Sequence, residues 1–101
     1  MTQYDRGRRF EYSVRDRLKK KGFHVFRSAG SRGIADLVAL KAGEVWLVEC
    51  KLDGVMSPIE RIGLIDIAKE LGVVPMLAKK LAGHVWFECL DSTLWKVTDG
   101  H

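Results

Sequence analysis

No apolar run in this 101-residue chain approaches the roughly 20 residues needed to cross a bilayer. The opening residues, Met1-Thr2-Gln3-Tyr4-Asp5-Arg6, lack the apolar segment of a secretory signal, so an intracellular, cytoplasmic protein is expected. Cysteine is scarce. Cys50 and Cys89 are the only two, with no Cys-x-x-Cys or zinc-type spacing, and they read as small buried hydrophobes rather than as ligands or a disulfide. The three histidines form no ligand pattern, and His24 alternates with apolar neighbours as a structural residue would. No glycine-rich phosphate loop is present, which argues against a nucleotide cofactor. Repeats, low-complexity tracts and long linkers are also absent. The length suits one domain with one modest core, spanning residues 1–101.

Charge is present but uneven. Residues 1–32 carry ten Lys/Arg against three acids, a net of +7, while residues 33–101 carry seven against ten, a net of −3. Lys19-Lys20-Lys21 alone reads as a solvated helix face. The wider set of Arg6, Arg8, Arg9, Arg27 and Arg32 is different. Arginine's planar fork matches phosphate, so this cluster points to a nucleic-acid partner.

The pattern of apolar residues predicts a mixed α/β domain. Phe10, Val14 and Leu18 recur every four residues and predict a helix from about Arg8 to Lys20, stopped near Gly22. Short strands follow over Phe23 to Phe26, Ile34 to Leu40 and Val45 to Lys51, the last two joined by a turn at Lys41-Ala42-Gly43-Glu44. Ser57, Pro58 and Glu60 form a helix start, and Gly72 ends that helix after Leu71. Leu64, Ile67, Ala68 and Leu71 form one apolar face; Ile59, Ile62 and Gly63 lie largely off it. A helix apolar on two sides needs a second burial partner, most simply another copy of the chain. Strands over Val73 to Ala78 and His84 to Leu90 complete the order α-β-β-β-α-β-β, with a further short strand over Leu94 to Val97. The expected architecture is a mixed five-stranded sheet flanked by helices.

Glu49-Cys50-Lys51 closes the third strand behind Val45-Trp46-Leu47-Val48. A period of two puts Glu49 and Lys51 on one face and Cys50 on the other. If Leu40 pairs with Val45, the register places Asp36 directly opposite Glu49, with β-carbons about 5 Å apart. Two carboxylates so close repel, and a divalent cation between them relieves that repulsion. Such an ion supplies the activated water, polarised phosphate and stabilised leaving oxygen that phosphodiester hydrolysis requires. Asp36, Glu49 and the Cys50 carbonyl are the candidate ligands, Lys51 the group that orients water or stabilises charge, and Glu11 the extra carboxylate, for a second metal or a metal-bound water. Taken singly, each has a plainer reading. Asp36 suits a backbone hydrogen bond at a strand start, Glu11 an ion pair with Arg15, and Ser31 turn chemistry.

Taken together, Arg9-x-Glu11, Gly22-Phe23-x-Val25-x-Arg27-Ser28-Ala29-Gly30-Ser31, Asp36-Leu37-Val38-Ala39 and Val48-Glu49-Cys50-Lys51 closely resemble archaeal-type Holliday junction resolvases, of the PD-(D/E)xK nuclease superfamily. The similarity continues through Gly63-Leu64-Ile65 to Trp86-Phe87-Glu88. It implies a restriction-endonuclease-like fold and a homodimer that nicks four-way DNA junctions using Mg²⁺, with Mn²⁺ as a substitute. By position it implies that Glu11, Ser31, Asp36, Glu49 and Lys51 are the catalytic set, that Arg9 and Arg27 handle DNA, and that the second helix forms the dimer. The family often has proline before the aspartate, where this chain has Ala35. Competing expectations are a nuclease of the same fold acting on flaps, damaged or duplex DNA, and a non-catalytic DNA-binding dimer.

Overall fold

The structure, a computed structural model, describes residues 2–28, 35–91 and 93. The elements are α1 (Gln3–Lys20), β1 (His24–Arg27), β2 (Leu37–Lys41), β3 (Glu44–Cys50), α2 (Pro58–Leu71), β4 (Val74–Leu81) and β5 (His84–Cys89). The order α-β-β-β-α-β-β is the expected one. Ser31, Arg32 and the strand expected over Leu94 to Val97 lie outside the described residues.

Helix α1 starts five residues earlier than its apolar stripe suggested. Thr2 is the reason: its hydroxyl accepts from the Asp5 amide at 3.1 Å and its amide donates to the Asp5 carboxylate, a capping box that begins the helix in polar sequence. Helix α2 starts where Ser57, Pro58 and Glu60 predict, with the Glu60 amide donating to the Ser57 hydroxyl at 3.1 Å. It stops at Gly72, whose φ of +70° suits glycine.

The five strands lie in the spatial order β1-β2-β3-β4-β5. All neighbours are antiparallel except β3 and β4, which α2 joins in parallel. The β2–β3 hairpin turns through Ala42 and Gly43, pairing Lys41 with Glu44, Leu40 with Val45 and Leu37 with Val48. Gly43 takes a φ of +78° there, which a side chain would oppose.

Strand alternation divides the core in two. Leu37, Ala39, Trp46, Val48, Met76, Ala78 and Phe87 pack with Phe10, Val14 and Leu18 of α1. Leu47 and Leu77 face the other way and pack with Leu64 and Ala68 of α2. Cys50 and Cys89 lean on the α1 core as free thiols. Two sequence expectations need correction. Leu71 is exposed rather than part of the α2 core, where Leu64 and Ala68 are the buried helix residues. His24 is exposed on edge strand β1 rather than packed. Among the described residues, no helix is long and apolar enough to cross a membrane.

Among the described residues Phe87 is the largest fully buried side chain, and its ring lies 5.9 Å from that of Trp46. Phe87→Ala should lower the unfolding free energy by about 3–5 kcal/mol, read by urea denaturation. A loss under about 1 kcal/mol would contradict this core.

Candidate active site

The site grows out of the β2–β3 register. Asp36 immediately precedes β2, one step past the Leu37–Val48 pair, so it stands opposite Glu49. Its backbone is pinned on one side by the Ser28 amide, which donates to the Asp36 carbonyl at 2.8 Å. Its side chain is pinned on the other, where the Cys50 amide donates to Asp36 Oδ2 at 2.8 Å. The backbone hydrogen bond that the plainer reading offered for Asp36 is thus present. It also orients the carboxylate, leaving Oδ1 with no partner among the described residues.

Glu49 follows Leu47 on the α2 face of β3. Its pKa is pushed up from 4.5 to about 7, chiefly by burial and then by the Asp36 charge, with Lys51 pulling the other way. Lys51 is held in line by its amide, which donates to the Ala78 carbonyl at 2.9 Å. Its Nζ lies 3.7 Å from Glu49 Oε2 and 2.9 Å from Glu60 Oε2. The Glu60 hydrogen bond is the main reason the Lys51 pKa is raised.

Glu11 is placed differently from expectation. It does not make the Arg15 ion pair that the plainer reading offered. Arg27 Nε donates to Glu11 Oε1 at 2.9 Å, while Arg15 bonds to Asp16. The guanidinium reaches across from β1 and holds the carboxylate. Consequently the convergence of three acidic side chains is not found: among the described residues no three His, Cys, Asp or Glu stand close enough to hold one ion. Glu11 is nonetheless near. The Cys50 thiol is driven up by burial and then by the charges of Asp36, Glu11 and Glu49, so all three act on this residue.

Asp36 and the half-buried Glu49 offer hard oxygen donors. The Cys50 thiol is held protonated and turned toward the α1 core. Such a donor set fits a hard divalent cation that keeps several waters, and it does not fit zinc.

The predicted basic residues divide. Arg6, Arg8 and Arg9 are exposed along α1, and Arg8 lies over the Tyr4 ring at 5.5 Å. Arg27 lies over Tyr12 at 5.4 Å while paired with Glu11. Ile59, Ile62 and Gly63, the expected dimer face, are all exposed, Ile59 at 85%. Sequence reasoning missed Tyr12, which stacks with both Arg15 and Arg27. It read Glu60 only as a cap. An aromatic one residue from a candidate acid, four residues after an arginine, was the available signal for Tyr12; nothing in spacing revealed the Glu60–Lys51 contact.

Known proteins are similar to this chain in sequence and fold. The archaeal Holliday junction resolvase (Hjc) family profile matches residues 2–95. A crossover junction endodeoxyribonuclease Hjc of Methanocaldococcus jannaschii is 38% identical over 91 residues, covering 84% of this chain. The match covers 66% of that relative, so the chain spans just under two thirds of its length. The 1.6 Å structure of Archaeoglobus fulgidus Hjc, a Holliday junction resolvase from an archaeal hyperthermophile, superposes with a TM-score of 0.73 at 26% identity, covering 94% of this chain and 80% of that one. With the family profile spanning nearly every residue and a relative sharing more than a third of its sequence, this chain belongs to the archaeal Holliday junction resolvase family.

Proposed function

We propose that the protein is a divalent-metal-dependent DNA endonuclease that resolves four-way junctions by paired nicking as a homodimer. The observation that carries the reading is the opposition of Asp36 and Glu49 across one hairpin with Lys51 alongside. The names borne by its relatives, a crossover junction endodeoxyribonuclease and a Holliday junction resolvase, supply the substrate class.

Mg²⁺ is the metal we assign, with Mn²⁺ as substitute, because the donors are carboxylate oxygens and a backbone carbonyl. Asp36, Glu49 and the Cys50 carbonyl would hold it. When bound, it would activate water, polarise the phosphate and stabilise the leaving oxygen. The rest falls to the chain. The Cys50 amide fixes Asp36, so that its other oxygen is preorganised. Burial keeps Glu49 poorly solvated, which strengthens its pull on a cation. The Lys51 ammonium stands beside them to stabilise charge developing on a phosphoryl oxygen. Glu11, engaged by Arg27, would contribute through a bridging water rather than as a direct partner of the pair. Ser31 and Arg32 keep their proposed roles as an active-site hydroxyl and a phosphate contact.

Arg6, Arg8, Arg9 and Arg27 would hold the phosphate backbone with little base readout. Two copies joined through the exposed Ile59, Ile62 and Gly63 face of α2 would present two sites to a two-fold junction. Such an enzyme would work in the cytoplasm, on nucleoid DNA.

Asp36→Asn or Glu49→Gln should slow cleavage of a synthetic four-way junction by more than about 10²-fold while leaving junction affinity in a gel-shift assay unchanged. Mg²⁺-dependent cleavage surviving in both variants would reject the ligand assignment. The Glu49 shift has a further consequence. The ion must displace a proton from a carboxyl that titrates at about 7, so Mg²⁺ affinity should be constant above that pH. Below it, the affinity should fall about tenfold for each pH unit. Calorimetric titration from pH 5.5 to 8.5 checks this, and a flat profile down to pH 5.5 would contradict it.

A further inference from the structure

We propose that Glu60 is a positioning residue for Lys51, drawing its ammonium off Glu49 so that Glu49 stays available to the cation. The inference rests on the endonuclease reading above.

The geometry is specific. Lys51 is a flexible four-carbon stem ending in a compact charge, and it has two carboxylates within reach. It takes Glu60 at 2.9 Å and stands off from Glu49 at 3.7 Å. A lysine left to Glu49 alone would close on it and neutralise the charge that a cation needs.

Glu60 is suited to prevent this, because it is itself immobilised. One of its oxygens, Oε1, accepts from the Ser57 amide at 3.2 Å as half of the α2 capping box. The other, Oε2, accepts from Lys51. The same carboxylate therefore closes the helix start and aims the lysine. Capping fixes where the carboxylate points, and the start of α2 becomes a fixed post beside the end of β3. The two duties use different oxygens, so they can be separated experimentally.

Glu60→Gln keeps an acceptor for the Ser57 amide, since glutamine also serves in a capping box, but removes the charge that attracts Lys51. Ser57→Ala does the reverse, weakening the cap while leaving the Glu60–Lys51 pair. Four quantities are to be measured for each: the single-turnover cleavage rate on a four-way junction at saturating protein, junction affinity, Mn²⁺ affinity by calorimetry, and melting temperature. For Glu60→Gln we expect the rate and the Mn²⁺ affinity each to fall about 10–100-fold, with junction affinity and melting temperature unchanged. For Ser57→Ala we expect a lower melting temperature and a rate within twofold of wild type.

Glu60→Gln cleaving at the wild-type rate would overturn the inference. So would a comparable rate loss in Ser57→Ala, which would make the effect one of helix stability. Unchanged Mn²⁺ affinity in Glu60→Gln would also overturn it, and so would a loss that persists once Lys51→Met removes the ammonium, which would make Glu60 a ligand. A wild-type protein that leaves the junction intact would instead sink the endonuclease reading, and this inference with it.

Discussion

Two carboxylates that would rather be apart are forced together by a hairpin. Asp36 and Glu49 oppose each other because Leu40 pairs with Val45, and every later pair follows from that one. A slip of one residue would send Asp36 to the opposite face of the sheet. The slip is blocked by burial on both faces: Leu37, Ala39 and Val48 are fully enclosed toward α1, and Leu47 toward α2. The hydrophobic core therefore does more than stabilise the fold, since it maintains an electrostatic conflict at one end of the sheet. The raised pKa of Glu49 reflects its burial first and that conflict second.

The surroundings of the pair hold each charged group in place by a different device. A backbone amide orients Asp36, an arginine from β1 restrains Glu11, and a helix-capping glutamate takes Lys51. In each case the restraining group comes from a different element: β3, β1 and α2. The site thus depends on the assembled sheet with both helices in place, and no isolated segment could reproduce it.

This division also explains what could be read from the sequence. The hairpin was legible, because period-two alternation and a turn glycine act over adjacent residues. Both helix ends of α2 were legible for the same reason, through Ser57, Glu60 and Gly72. The start of α1 was not, since its capping box lies in a polar segment and the apolar stripe begins only at Phe10. The partner of Glu11 was misjudged. Helical spacing offered Arg15, but the arginine that arrives is Arg27, sixteen residues away on an edge strand. The pairing of Lys51 with Glu60 was equally hidden, because it depends on how the β3–α2 connection folds back rather than on any periodicity. Local geometry is written in neighbouring residues, whereas ion pairs across elements are settled by packing.

The central claim is that a divalent cation belongs between Asp36 and Glu49. Anomalous diffraction from crystals soaked in Mn²⁺ tests it directly. The account predicts one strong peak within coordination distance, about 2 Å, of an oxygen from each carboxylate. A peak that touches neither, with the Glu49 carboxyl still facing Asp36 across an empty gap, would contradict it.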